Sequence, residues 1–261
     1  MFFDVPSVVL FVLLVVVVGG TVAIGWFVGT ALRQREGDTR ESVGVVQGAL
    51  LGLVGLVLAF GLSMAVGRYD SRRAVVVQEA NAIGTTYLRA QLLPEPARGE
   101  SLDLLRSYTD LAIELADAVP DTDEFDAAAA EIEALQQQLW QLAGDAMAAD
   151  PQGSAPRLYV ETLNDTIDRH TDRVASLRNR VPGTVMMIEV LGSAVALGVL
   201  ALYLTMLGRG LTTSLLAAGV VVLILFVSFD LDRPQRGLIN VPFQVLVDTR
   251  ATMDGEPAYA P

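Results

Sequence analysis

Residues 56–94 read LVLAFGLSMAVGRYDSRRAVVVQEANAIGTTYLRAQLLP, and this stretch decides the fold. The part before Arg68 is uncharged and apolar enough for a bilayer, whereas the part after it is polar and has the periodicity of a helix. No proline and no loop-like composition interrupts the stretch before Pro94, which is where a helix would stop. The sequence therefore predicts one long helix that leaves the membrane at Arg68 and continues into water.

Four segments are long and apolar enough to cross a bilayer, in a chain of which 52% is hydrophobic. The first (TM1, residues 5–32) follows Asp4 and has no basic leader, which favours a retained span over a signal peptide. TM2 covers residues 42–67 and carries glycines at spacings of four, four and three, a pattern that lets helices approach closely in lipid. These glycines are Gly44, Gly48, Gly52 and Gly55. TM3 covers residues 182–207, and a short turn connects it to TM4 at residues 211–229.

Residues 68–181 have the apolar periodicity of amphipathic helices, with helices expected at 68–93, 101–119, 123–149 and 157–180. Residues 230–261 form a soluble tail in which Pro234 and Pro242 prevent one continuous helix. The predicted fold is therefore an all-α integral membrane protein with four transmembrane helices. A soluble helical bundle is inserted between TM2 and TM3.

The distribution of charge limits the partners and predicts the orientation. Residues 68–181 contain 20 Asp and Glu against 11 Arg, which disfavours nucleic acid as a partner and leaves membrane lipid and small ions. Nine arginines near the spans lie on the side of the middle domain and four on the other. The positive-inside rule then predicts an inner-membrane protein whose termini and middle domain are cytoplasmic.

Motifs for enzymatic chemistry are missing from the sequence. There is no cysteine, no phosphate-binding loop, no nucleophile elbow and no zinc spacing, so we expect no enzyme and no organic cofactor. The single histidine, His170, lies in the polar run RHTDR and is interpreted as a surface or helix-capping residue.

One face of TM2 has the composition of a channel lining. Leu56, Phe60 and Ser63 recur at spacings of four and three, and Gly67 continues the same face. In a symmetric oligomer with TM2 innermost, Leu56 and Phe60 would form apolar rings that gate by dewetting. Periodicity alone also fits ordinary helix packing.

Charged residues near the spans are the other candidates. Arg68, Arg72 and Arg73 end TM2, where they either anchor the helix at the headgroups or form a cationic ring at a pore mouth. Glu189 is the one carboxylate within an apolar run and could pair with this arginine cluster if buried. Glu79 lies on the helix beyond the membrane.

Just past TM4, Asp230 and Asp232 could hold Ca²⁺ together with backbone carbonyls, although a polar stop to the span explains them as well.

Three stretches resemble the bacterial bestrophin-like membrane proteins: LAFGLSMAVGRYDSRR, VVVQEANAIGTTYLRAQLLPEP and FDLDRPQRGLINVP. These are in turn similar to bestrophins, which are pentameric anion channels with an apolar neck on TM2. The resemblance implies a homo-oligomer, a neck at Leu56 and Phe60 with Ser63 below, and an anion pathway followed by the Arg68–Tyr69 pair. The dense acidic calcium clasp of bestrophins is missing, and Asp230 and Asp232 alone stand near its place.

Three alternatives to an anion channel stay open at this point. A cation pathway would use Glu79, Glu189 or Asp230. A non-conducting sensor or scaffold would use the same long helix to transmit a signal or to hold partners. A proton channel that couples energy would need a protonatable group in the membrane, for which Glu189 is the candidate.

Overall fold

The computed structural model describes residues 5–33, 37–208, 211–255 and 259, and for residues 37–40 the backbone alone. The described part of the chain is helical, without strands, and the connections between TM1 and TM2 and between TM3 and TM4 lie partly outside it. Its helices are α1 (Ser7–Leu32), α2 (Gly37–Ala90), α3 (Ala97–Asp117), α4 (Asp123–Ala149), α5 (Ser154–Arg178), α6 (Gly183–Met206), α7 (Leu211–Leu231) and α8 (Gln244–Thr252).

The long helix predicted from residues 56–94 is present as residues 56–90 of α2. This helix has 54 residues, which corresponds to a length of about 80 Å at 1.5 Å per residue. Among the described residues, four helices are long and apolar enough to span a membrane: α1, α2, α6 and α7. The chain is a membrane protein with the predicted all-α fold.

The chain divides into two compact units, and α2 contributes to both. The membrane unit consists of residues 1–68 and 180–239, and the soluble unit of residues 69–179 and 240–261. The sequence treats 230–261 as one tail, whereas the structure assigns 230–239 to the membrane unit and the remainder to the soluble unit.

In the membrane unit, α1 packs closely on α6 through glycines. A Cβ added to Gly25 would overlap the backbone carbonyl of Gly198, and one added to Gly29 would lie 2.7 Å from the carbonyl oxygen of Leu202. The apolar core around this contact includes Leu14, Val18 and others from α1, α6 and α7. The α6 helix ends at Met206, and Gly208 follows with φ of 70°, a left-handed conformation that suits glycine.

The soluble unit has a separate core built from the second half of α2, α3, α4, α5 and α8. The fully buried side chains of Ile83, Leu105, Ile132 and Leu163 belong to it. Thr122 caps α4 by accepting a hydrogen bond from the backbone N–H of Phe125 at 3.3 Å.

The largest difference from the predicted helices is α8, which the sequence analysis did not identify. This helix follows Pro242 and has nine residues, too few for its periodicity to stand out. It lies in the soluble unit, where Leu246 is fully buried. Three other helices begin earlier than predicted: α2 starts at Gly37 rather than at residue 42, α3 starts at Ala97, and α5 starts at Ser154 with Pro156 in its first turn, where proline is tolerated.

Candidate functional site

The predicted channel-lining face of α2 is not covered by the other residues that the structure describes. Leu56 is 54% exposed and Phe60 is 62% exposed, and Ser63 is exposed one turn later. Val54 and Leu58 are buried on the opposite side of the helix, where α2 joins the core of the membrane unit. Within the described part of the chain, one side of α2 is therefore packed and the predicted side is open.

The glycines of α2 also differ in whether another described residue lies against them. A Cβ added to Gly48, Gly52, Gly55 or Gly67 would meet no atom within 4 Å, whereas one added to Gly44 would lie 3.0 Å from the ring of Tyr203. The predicted close packing at this glycine stripe is thus absent within the described chain, Gly44 excepted. A stripe of small residues on a membrane helix favours contact with another helix.

The three arginines after TM2 have three different environments. Arg68 lies 4.0 Å from the Asp232 carboxylate and its side chain is 26% exposed, while Arg73 is exposed. Arg72 is 1% exposed, and it donates hydrogen bonds to the backbone carbonyls of Ser176 (3.3 Å) and Asn179 (2.9 Å). These carbonyls belong to the C-terminal end of α5, which lacks intrahelical partners for them. Arg72 therefore stabilises a helix end, which corrects its predicted place in an ion-attracting ring.

Glu79 and His170 are both buried in the soluble unit, where they form one cluster with Arg173. The Glu79 carboxylate lies 3.0 Å from Nδ1 of His170 and accepts a hydrogen bond of 2.5 Å from Arg173. Arg173 also donates to the backbone carbonyl of Ala112 on α3 at 2.9 Å. The cluster therefore ties together α2, α3 and α5.

The electrostatics of the cluster favour an ionised carboxylate. Burial acts to raise the pKa of Glu79, but the charge of Arg173 and the hydrogen bond from His170 outweigh it, and the pKa is lowered. Burial raises the pKa of Tyr108, whose ring meets His170 edge to face at 6.1 Å. With no exposed surface, Glu79 cannot attract ions from solution, which corrects that prediction.

The interpretation of His170 as a surface residue is also wrong, since its exposure is 4%. The signal was in the sequence: His170 continues the apolar stripe of α5 formed by Leu163, Ile167, Val174 and Leu177. Arg173 lies on the same side of α5, three positions after His170 and four before Leu177, and was missed because a charged side chain is rarely buried.

Glu189 lies on α6 in the membrane unit and is 4% exposed. Its carboxylate occupies the space that a side chain at Gly61 of α2 would fill. No hydrogen bond or ion pair reaches this carboxylate from the described residues, so the predicted pairing with the Arg68–Arg73 cluster does not form there.

Asp230 and Asp232 are buried and bind donors of their own chain. Asp230 accepts hydrogen bonds from the backbone N–H groups of Leu238 (2.7 Å) and Ile239 (3.0 Å), and from the Ser7 hydroxyl (3.2 Å). Asp232 accepts one from the backbone N–H of Val181 at 2.8 Å, with Arg68 at its other oxygen.

This pair does not fit a calcium site. Ca²⁺ takes six to eight oxygen ligands, whereas each carboxylate oxygen here already faces an N–H or O–H donor. No group of three or more potential metal ligands occurs among the described residues.

The DRPQRG motif after TM4 instead connects the segment after α7 to the start of α1 within the membrane unit. Arg233 is 3% exposed and donates hydrogen bonds to the backbone carbonyl of Val5 and to the hydroxyl of Ser7, at the start of α1. Together with Asp230, it holds the segment after α7 against the N-terminal end of α1.

A family model and several solved structures match this chain over most of its length. The family model for the Bestrophin-like domain matches residues 8–246. Two crystal structures of a bacterial bestrophin homologue from Klebsiella pneumoniae superpose with TM-scores of 0.70 and 0.67, both at 12% identity. They cover 95% and 92% of this chain and 99% and 97% of the homologue.

A third crystal structure, of a membrane protein, has a TM-score of 0.65 at 14% identity and covers 93% of this chain and 99% of its own. No curated protein sequence matches the chain. At these identities the structures show a shared fold, while the family model covers most of the sequence. The chain belongs to the Bestrophin-like family.

Proposed function

We propose that this protein is a homo-oligomeric ion channel whose pore is lined by the membrane-spanning part of α2. The observation that carries the proposal is the open face of α2, on which Leu56, Phe60 and Ser63 recur and which no other residue that the structure describes covers. Membership of the Bestrophin-like family supports the same function.

The open face has two sides with different side-chain sizes. At 3.6 residues per turn, Gly52, Gly55 and Ala59 lie along one side, and the exposed Leu53, Leu56 and Phe60 lie along the other. A small side next to a bulky side suits a head-to-tail ring, because each α2 offers a different surface to each neighbour and to the axis. In this arrangement the small side contacts a neighbouring copy, and Leu56 and Phe60 point to the axis. A ring of five follows from the resemblance to bestrophins.

Leu56 and Phe60 would form two apolar rings one turn apart, with Ser63 in the next turn. Such rings close a pore by excluding water rather than by blocking it with a charge. The span contains no charged residue between residues 42 and 67, so conduction depends on the width of these rings.

We propose that anions pass. The acidic residues required for a cation pathway are buried, and Glu79 and Asp230 already bind donors of the same chain. Arg73, by contrast, is exposed on α2 beyond the span. The arginine distribution supports an inner-membrane location with the termini and the soluble unit in the cytoplasm.

The test is ion flux through purified protein in liposomes, with chloride and potassium gradients imposed separately. We expect chloride flux, and we expect Phe60→Ala to increase it because a bulky ring is removed from the pore. Phe27 is the matched control, since it is 65% exposed on α1 of the same unit and Phe27→Ala should leave the flux unchanged.

Two outcomes would overturn the proposal. Native mass spectrometry that detects monomers only would exclude a pore lined by several α2 helices. Folded and inserted protein without flux of either ion would favour a non-conducting sensor or scaffold.

A further inference from the structure

We propose that Glu189, together with Ser193, forms a proton-binding site inside the membrane unit, at the contact between α6 and α2. Both residues lie on α6, one turn apart, and both are buried, with exposures of 4% and 0%. The Ser193 hydroxyl has no hydrogen-bond partner among the described residues, and neither has the Glu189 carboxylate. Two buried polar groups without partners among the described residues thus lie one turn apart on the same helix.

Gly61 provides the space for this site. A Cβ added at position 61 would overlap a carboxylate oxygen of Glu189, so the carboxyl group reaches the α2 backbone only because this residue is glycine. The other glycines of the span that face away from the chain have no such neighbour. The contact at Gly61 is therefore specific to Glu189.

The surroundings offer no charge that would stabilise an ionised carboxylate. The helices packed around α6 carry no titratable side chain within residues 7–32, 42–67 and 211–229. On α6 itself the other titratable group is Tyr203, fourteen residues away, which corresponds to about 21 Å. The charged groups at the end of the unit, Arg68 and Asp232, already contact each other.

An ionised carboxylate without a partner is expensive in such a place, and the neutral acid avoids that cost. A metal ion is a poor alternative, because the residues supply two carboxylate oxygens and one hydroxyl, and the described residues contain no cluster of metal ligands. A proton needs no ligand cage and turns the carboxyl group into a hydrogen-bond donor.

The site lies on the covered side of the helix whose open side carries Leu56 and Phe60. Loss of the proton would place a negative charge against the Gly61 backbone, and water would have to enter between α6 and α2 to solvate it. Because Gly61 is the direct neighbour of Phe60 on α2, proton binding at Glu189 would then alter the rings proposed above. This last consequence rests on the proposed channel function, whereas the proton site itself does not.

The direct test is difference infrared spectroscopy of the carboxyl group in the full-length protein at neutral pH. The wild-type protein should show the carbonyl band of a protonated carboxyl group, and Glu189→Gln should lose it. Glu114→Gln is the matched control, because Glu114 is exposed on α3, far from Glu189 in sequence, and the band should persist in this variant. A wild-type protein without the band, or a band that persists in Glu189→Gln, would overturn the proposal.

A second measurement examines the effect on transport. Chloride flux of the wild-type protein should change between mildly acidic and mildly alkaline buffer, whereas Glu189→Gln should show the same flux in both. Gly61→Ala, which occupies the space of the carboxyl group, should shift the infrared band. Wild-type flux that does not respond to pH would overturn the coupling to the pore and leave the channel function intact. An absence of flux would contradict the channel function and leave the infrared result valid.

Discussion

The two parts of α2, before Arg68 and after Tyr69, differ in the kind of side chain that each exposes and buries. Before Arg68 the helix is apolar, and its bulky residues Leu56 and Phe60 are exposed within the chain. After Tyr69 it is polar by sequence, yet it buries Arg72 and Glu79 completely. Polarity along one helix therefore does not indicate which residues are covered. In a membrane span the exposed side can be apolar, and in a soluble bundle the buried side can hold ions when each has a partner.

The largest effect is expected where the soluble half buries its charges. Glu79→Ala leaves Arg173 charged, buried and without its carboxylate, so we expect the free energy of unfolding of the soluble unit to fall by about 3–5 kcal/mol. The protein has two tryptophans, and in a Trp26→Phe background the fluorescence of Trp140 on α4 reports unfolding of this unit alone.

Glu114→Ala is the control for this change, since Glu114 is exposed on α3 and should cost within about 0.5 kcal/mol. Equal effects of the two variants would show that the buried cluster does not stabilise the soluble unit.

The second effect separates two neighbouring arginines. Arg72→Ala removes the donors of two carbonyls at the end of α5, which should cost about 1.5–3 kcal/mol because these hydrogen bonds come from a charged group. Arg73→Ala changes an exposed residue and should be within about 0.5 kcal/mol of wild type. The same fluorescence measurement applies. A larger loss for Arg73 than for Arg72 would contradict the assigned roles.

The sequence predicted the membrane spans well because their signal is local. Uninterrupted apolar runs identify α1, the first half of α2, α6 and α7 without knowledge of any contact. The partners of the charged residues could not be predicted in this way. Glu79 and His170 are 91 positions apart, and their pairing depends on how α2 and α5 pack. The burial of His170 was predictable, since this residue falls on the apolar stripe of α5. The polar residues on either side of it in the sequence favoured a surface position instead.

The third effect compares glycines that are covered with glycines that are open. Gly25→Ala would overlap the backbone of Gly198, so we expect a loss of about 1–3 kcal/mol in the stability of the membrane unit. Gly52→Ala on α2 meets open space within the chain and should leave the stability of the monomer unchanged. Thermal unfolding in a detergent that dissociates oligomers, followed by Trp26 fluorescence, measures both. A Gly25→Ala protein as stable as wild type would contradict the close α1–α6 contact.

The smallest effect is the pH dependence of the Glu79 cluster. Burial acts to raise the pKa of Glu79, but Arg173 and His170 lower it below the ordinary value of 4.5 in the folded protein. The unfolded protein therefore binds the proton at higher pH than the folded protein does. The stabilisation is complete above about pH 4.5 and is lost as the pH falls through the folded pKa.

The difference in free energy of unfolding between wild type and Glu79→Gln should thus be constant near neutral pH and should narrow in acid. Denaturant titrations of both proteins over this range measure it, and because the other carboxylates are common to both, their contributions cancel. A difference that grows as the pH falls would mean that the cluster holds a protonated Glu79, which is the state we assign to Glu189 in the membrane unit.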